Sequence, residues 1–102
     1  MTVRVLTTAR ADQDIHLAAA WWRENRQASP FLFEDELDKA IDLLAEHPDA
    51  GHVTRIDGIE FRALHLQRSR YRVYYEHDPV AQAVVIRAVW GAVRGRPPRL
   101  HK

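Results

Sequence analysis

The sequence predicts an α+β domain in the order β-α-α-β-β-β, a helical hairpin packed on one face of a small, mainly antiparallel four-stranded sheet. Three observations lead there. Residues 9 to 46 carry apolar side chains at helical spacing, residues 59 to 90 alternate in the period of strands, and only short connections separate consecutive elements. At 102 residues the chain is expected to form a single domain, residues 1–102, closed by a basic C-terminal tail of about 92–102.

The first strand is expected at residues 2 to 7, TVRVLT, which are β-branched and alternating. Thr8 can cap the helix that follows, from Ala9 to about Gln27. Its stripe is Ile15, Ala18, Ala19 and Trp22, broadened by Leu17 and Trp21. Asp12 and Asp14 near its start and Arg23 and Arg26 near its end match the helix dipole. Ser29-Pro30 reads as a restart, with Ser as cap and Pro at the first helical position, where its missing N–H costs nothing. The second helix runs to about Glu46, its stripe Phe33, Leu37, Ala40, Ile41 and Leu44. The row Asp35, Asp38, Asp42 falls on its wet face. Pro48 stops it, and His47 to Gly58 reads as a linker.

Three strands are then expected at about 59 to 66, 70 to 76 and 82 to 90, joined by hairpin-sized turns. Alternation sets Phe61, Ala63 and His65 against Arg62, Leu64 and Leu66, and Tyr71, Val73 and Tyr75 against Arg70, Arg72 and Tyr74.

Charge is unevenly divided along the chain. Residues 1 to 50 hold five basic and ten acidic side chains, a net of −5, whereas residues 51 to 102 hold ten and four, a net of +6, so the total of +1 hides a polar split. A basic sheet backed by acidic helices offers a face to polyanions or to an acidic protein. Arg62, Arg70, Arg72 and Arg94, with Tyr74, are the candidate contact residues on that sheet, and Trp21 and Trp22 are candidates for a groove on the helices. Adjacent helical positions lie about 100° apart, so one of the two indoles is expected near the surface. The competing structural reading makes the arginines a solvated face paired with Glu60 and Glu76, and the tyrosines packing residues.

Several function classes drop out. With no cysteine there is no disulfide framework, thiolate nucleophile or Cys-based metal site. The histidines at 16, 47, 52, 65, 77 and 101 include no pair at the i, i+4 spacing of a helical zinc site, and neither a metal nor another cofactor is expected. No apolar run reaches the length of a membrane span and the N-terminus lacks the pattern of a signal peptide, so the expected location is the cytoplasm.

The succession Phe61-Arg62-Ala63-Leu64-His65-Leu66, Tyr71-Arg72-Val73-Tyr74-Tyr75, the apolar strand to Val89, and then Arg94 resembles the RelE/ParE superfamily, the toxins of type II toxin-antitoxin systems. The helix ending Ile41-Asp42-Leu43-Leu44-Ala45-Glu46-His47-Pro48 is similar to that family's second helix. The resemblance implies a cognate antitoxin as partner and one of two activities. RelE-like members are ribosome-dependent messenger RNA endonucleases, in which the RNA's own 2′-hydroxyl attacks and the protein supplies a base, an acid and cations. Arg72 matches the family's third-strand arginine, but Ala63 and His65 stand where lysines would, and the tail offers no tyrosine and only His101. A nuclease built on this chain would use His65, Arg72 and Arg94. ParE-like members bind and poison DNA gyrase and need no catalytic set, which the missing acid and base favour. A non-toxic, degenerate member is the third alternative.

Overall fold

The computed structural model describes residues 2–100. Its elements are β1 (Arg4–Thr7), α1 (Ala9–Asn25), α2 (Leu32–Glu46), β2 (His52–Ile56), β3 (Ile59–Leu66), β4 (Tyr71–Asp78) and β5 (Ala83–Gly91), followed by a 3₁₀ turn at Ala92–Arg94. The sheet has five strands in the order β1-β5-β4-β3-β2. β1 pairs with β5 in parallel, and the remaining pairs are antiparallel. The sheet is therefore five-stranded and mixed, a correction to the expected four.

The added strand lies inside the segment expected to be a linker. Asp57 and Gly58 both take positive φ, 53° and 80°, which is what a two-residue turn needs to match the twist of the strands on either side. His52–Ile56 thereby folds back on β3, pairing His52 with Ala63 and Ile56 with Ile59.

Thr8 caps α1 as expected, its side chain accepting from the Ala11 amide at 3.1 Å. α1 ends at Asn25, two residues short of Gln27. The Ser29 cap is not formed; Phe31 holds the N-cap position of α2 without a side-chain hydrogen bond, and Ser29 to Phe31 make a turn instead. The inward stripes are otherwise as read. Ala11, Ala18, Ala19 and Trp22 of α1 and Phe33, Leu37, Ala40 and Leu44 of α2 are buried against Leu66, Val73, Tyr75, Val84, Ile86 and Val89. Leu17 and Trp21 are exposed, because a stripe that includes Trp22 already uses the arc of α1 that faces the sheet.

Acidic side chains tie the helices to the sheet. β1 stops pairing at Thr7, opposite Ile86, so the second half of β5 would be left with open backbone groups. The start of α1 supplies them: the Thr8 amide donates to the Ile86 carbonyl, the Thr8 hydroxyl to the Arg87 carbonyl at 3.3 Å, and the Val89 amide to the Asp14 carboxylate at 3.0 Å. Glu36 on α2 similarly accepts from the Arg68 and Ser69 amides and the Ser69 hydroxyl, fixing the β3–β4 turn. At the opposite end the Tyr75 hydroxyl donates to the Pro48 carbonyl and accepts from the Gly51 amide, locking the entry to β2.

Candidate functional site on the outer sheet face

Side-chain alternation gives the sheet a second face that the helices do not cover. A second apolar cluster lies there, made of Ile56, Phe61, Ala63, Tyr74 and Ala88. Its lid is the C-terminal tail. Leu100 is buried in this cluster, Pro98 is fully buried, and the strap is pinned by hydrogen bonds from Arg10 to the Arg99 carbonyl at 2.8 Å and from the Trp90 indole to the Arg96 carbonyl at 2.9 Å. The basic tail is thus laid on the sheet by its own chain through residue 100. His101 lies outside the described residues.

Beyond the strap, polar side chains from four strands line up. Register sets His65 of β3 beside Arg72 of β4, and Arg72 beside Trp90 of β5. His52 of β2 completes the row, its ring edge-on to that of His65 with centroids 5.1 Å apart. Partial burial first, then the Arg72 guanidinium and His52, push the His65 imidazole below its usual range, so near neutral pH it is a free base. The Nε of Arg72 is buried without a hydrogen-bond partner. Around Trp90 stand Arg94 at 4.1 Å from the ring centroid, Arg10 at 5.5 Å and Arg96 at 5.7 Å.

Each residue singled out in the sequence can now be placed. Arg72, Arg94 and His65 belong to this outer face and its rim. Arg70 sits in the β3–β4 turn at the same end, with a φ of 66°, and its carbonyl accepts from the Ala92 amide. Tyr74 faces outward but is only 3% exposed, a floor beneath the strap and not a free contact. Arg62 is on the other face, opposite Tyr75, where it donates to the Gly51 carbonyl at 2.8 Å and lies 3.8 Å from Asp49. Trp21 and Trp22 are likewise on the helical side: Trp22 is core, and Trp21 is exposed under the Arg26 guanidinium at 5.0 Å. The arginines therefore do not form one ladder. Glu60 lies 3.9 Å from Arg55 and Glu76 is paired with Arg87 at 2.7 Å.

Sequence reasoning missed His52, Trp90, Arg10 and Arg96 as neighbours of the site. His52 was hidden by the unrecognised strand, for which Asp57-Gly58 was the available signal. The other three meet only through folding, because Arg10 lies 80 residues before Trp90 in the chain. Among the described residues there is no group of three or more His, Asp or Glu side chains able to hold a metal ion, and no helix is long and apolar enough to cross a membrane.

Residues 5–94 match the family model described as the ParE toxin of the type II toxin-antitoxin system parDE. The chain belongs to the RelE/ParE superfamily of type II toxins. Solved structures agree at the level of fold. The RelBE2 toxin-antitoxin complex from Mycobacterium tuberculosis is similar at a TM-score of 0.65 and 22% identity, over 89% of this chain and 99% of that one. A double arginine-to-alanine variant of the E. coli toxin RelE in the free state is similar at 0.60 and 18%, over 90% and 85%. No curated protein sequence matches this toxin.

Proposed function

We propose that this toxin inhibits growth by binding and poisoning DNA gyrase through the outer face of its sheet, and that a cognate antitoxin neutralises it. The observation that carries this reading is the match to the ParE toxin model over residues 5–94. The composition of the face supports it. Arg72, Arg94 and Arg96 form no ion pair among the described residues, whereas the nearby carboxylates are engaged, Asp14 with Arg10 and Glu76 with Arg87. A surface rich in unpaired guanidinium groups around an indole suits recognition of an acidic partner. The antitoxin follows by the same chemistry: a flexible acidic segment that folds over the toxin and sets carboxylates against Arg70, Arg72 and Arg94. The similar RelBE2 structure is itself a toxin-antitoxin complex.

The test is a supercoiling assay with purified gyrase and relaxed plasmid. Added toxin is expected to block supercoiling or trap cleaved DNA, and Arg72→Glu with Arg94→Glu to relieve the effect. Unimpaired supercoiling at saturating toxin refutes the gyrase target.

One observation favours a second reading, a ribosome-dependent messenger RNA endonuclease. Two members of the nuclease set, His65 and Arg72, are direct cross-strand partners. Cleavage of messenger RNA on ribosomes, abolished by His65→Ala, would establish it.

A further inference from the structure

Away from the histidine row, Thr8, Arg10, Arg87, Arg99 and Leu100 line a cleft of about 200 Å³. Three of these residues are cations and none is an acid. They come from parts of the chain that meet only in the fold: Arg10 from the first turn of α1, Arg87 from β5 and Arg99 from the tail. Arg87 is the bulged residue of β5, lying between Ile86 opposite Tyr75 and Ala88 opposite Tyr74, so it stands outside the regular alternation of its strand. Arg10 draws the tail in by donating to the Arg99 carbonyl at 2.8 Å, and this brings the Arg99 side chain to a cleft that already holds two guanidinium groups. Carboxylates from outside the cleft offset part of the charge, Asp14 on Arg10 at 3.0 Å and Glu76 on Arg87 at 2.7 Å. Arg99 forms no ion pair among the described residues. Closing the tail therefore gathers like charges, at a cost that a bound anion removes.

We infer that this cleft binds the terminal phosphate of a small phosphate monoester, and that the bound phosphate staples the C-terminal strap to the sheet. Three guanidinium groups from three elements match the three free oxygens of a monoester, whereas a carboxylate has only two, in one plane. The volume exceeds what one phosphate fills, and Leu100 gives the rest of the ligand an apolar wall. Arg99 and Leu100 form one side of the cleft, so a terminal phosphate enters it end-on, while a continuous nucleic-acid backbone would have to pass through the tail. Leu100 also anchors the strap among Phe61, Tyr74 and Ala88, so the ligand touches the residue that holds the outer face covered. A ligand that needs Arg99 in place binds only the closed form, and its concentration then sets how firmly the tail stays down. This goes beyond the gyrase reading and does not depend on it, since the strap covers the same face whichever target the toxin takes.

The experiment titrates the full chain with inorganic phosphate and with phenyl phosphate in a calorimeter, against sodium chloride at matched ionic strength. Both phosphates are expected to bind where chloride does not, phenyl phosphate the more tightly, and to slow tryptic cutting between Arg99 and Leu100 as followed by mass spectrometry. Arg87→Gln and Arg99→Gln should each weaken phosphate binding by about tenfold or more, and Arg26→Gln on the helical side should leave it unchanged. The Arg99 side chain is exposed, so that variant keeps the test sound even where Arg87→Gln, which also loses Glu76, fails to fold. Phosphate that binds no better than chloride overturns the proposal, as does Arg99→Gln binding it like wild type. Phosphate binding without slower cutting at Arg99 overturns the staple. An oligonucleotide lacking terminal phosphates that competes with phenyl phosphate at equal phosphate concentration makes a nucleic-acid backbone the ligand, and the small monoester is then rejected.

Discussion

Glu36 is the residue on which the β3–β4 turn depends. Burial would raise its pKa, but the Ser69 hydroxyl, the amides of Arg68 and Ser69 and the Arg68 charge together hold it below the usual value of 4.5. A depressed carboxylate binds its proton more readily in the unfolded chain, so its stabilisation is complete above pH 4.5 and disappears as pH falls through the lower, folded value. Glu36→Gln is therefore expected to cost about 1–3 kcal/mol at pH 7 in chemical denaturation, and little once both forms are protonated at low pH. His65 works in the same direction in a different window. Its folded pKa lies below 6.5, so the unfolded chain takes up that proton first and stability declines as pH drops below 6.5. Thermal melts from pH 7.5 to 5 should show a shallower decline in His65→Gln than in the wild type.

The element most exposed to a single backbone change is β2. Its first residue is preceded by Gly51, where an added Cβ would come within 2.8 Å of the Tyr75 ring and 2.9 Å of the Ala63 carbonyl. Neither neighbour can give way: Tyr75 is fully buried and held by two hydrogen bonds, and the carbonyl belongs to β3. Gly51→Ala should destabilise the fold by about 1–3 kcal/mol in urea titration. The loss should be accompanied by faster exchange of the β2 amides, since that strand reaches the sheet only through β3. The same strand carries His52, so its docking is a condition for the histidine row to exist at all.

For the whole molecule the decisive feature is asymmetry between the two sheet faces. One is covered by a helical hairpin, and the other, among the described residues, by a stretch of tail anchored at Pro98 and Leu100. Burying a leucine side chain is worth roughly 1.5–3 kcal/mol. Leu100→Asp is expected to lower the stability of the toxin by about that amount and to expose Tyr74 and Trp90, seen as a red shift and stronger quenching of tryptophan fluorescence. The charge asymmetry predicts the behaviour of the complex: antitoxin affinity should fall as salt rises, and fall less steeply once Arg72 and Arg94 are removed.

Sequence alone determined the helices and four of the five strands, because their periods and breakers are local: the Thr8 cap, the stripe from Phe33 to Leu44, Pro48, and the alternation through Tyr71 to Tyr75. It also showed that the arginines crowd into the second half of the chain. It could show which residues share a face within each strand, but not which of those faces adjoin across strands. That depends on register, and register assigned Arg62 to the helical side and Arg72 to the other. The strand at His52–Ile56 went unread although Asp57-Gly58 announced it, since Pro48, Gly51 and Gly58 around it also fit a loop. The tail's place on the sheet and the meeting of Arg10 with Trp90 were decided by tertiary structure alone. Contacts between residues 80 positions apart leave no periodic trace in a chain, and only the burial of an otherwise bare apolar face makes them form.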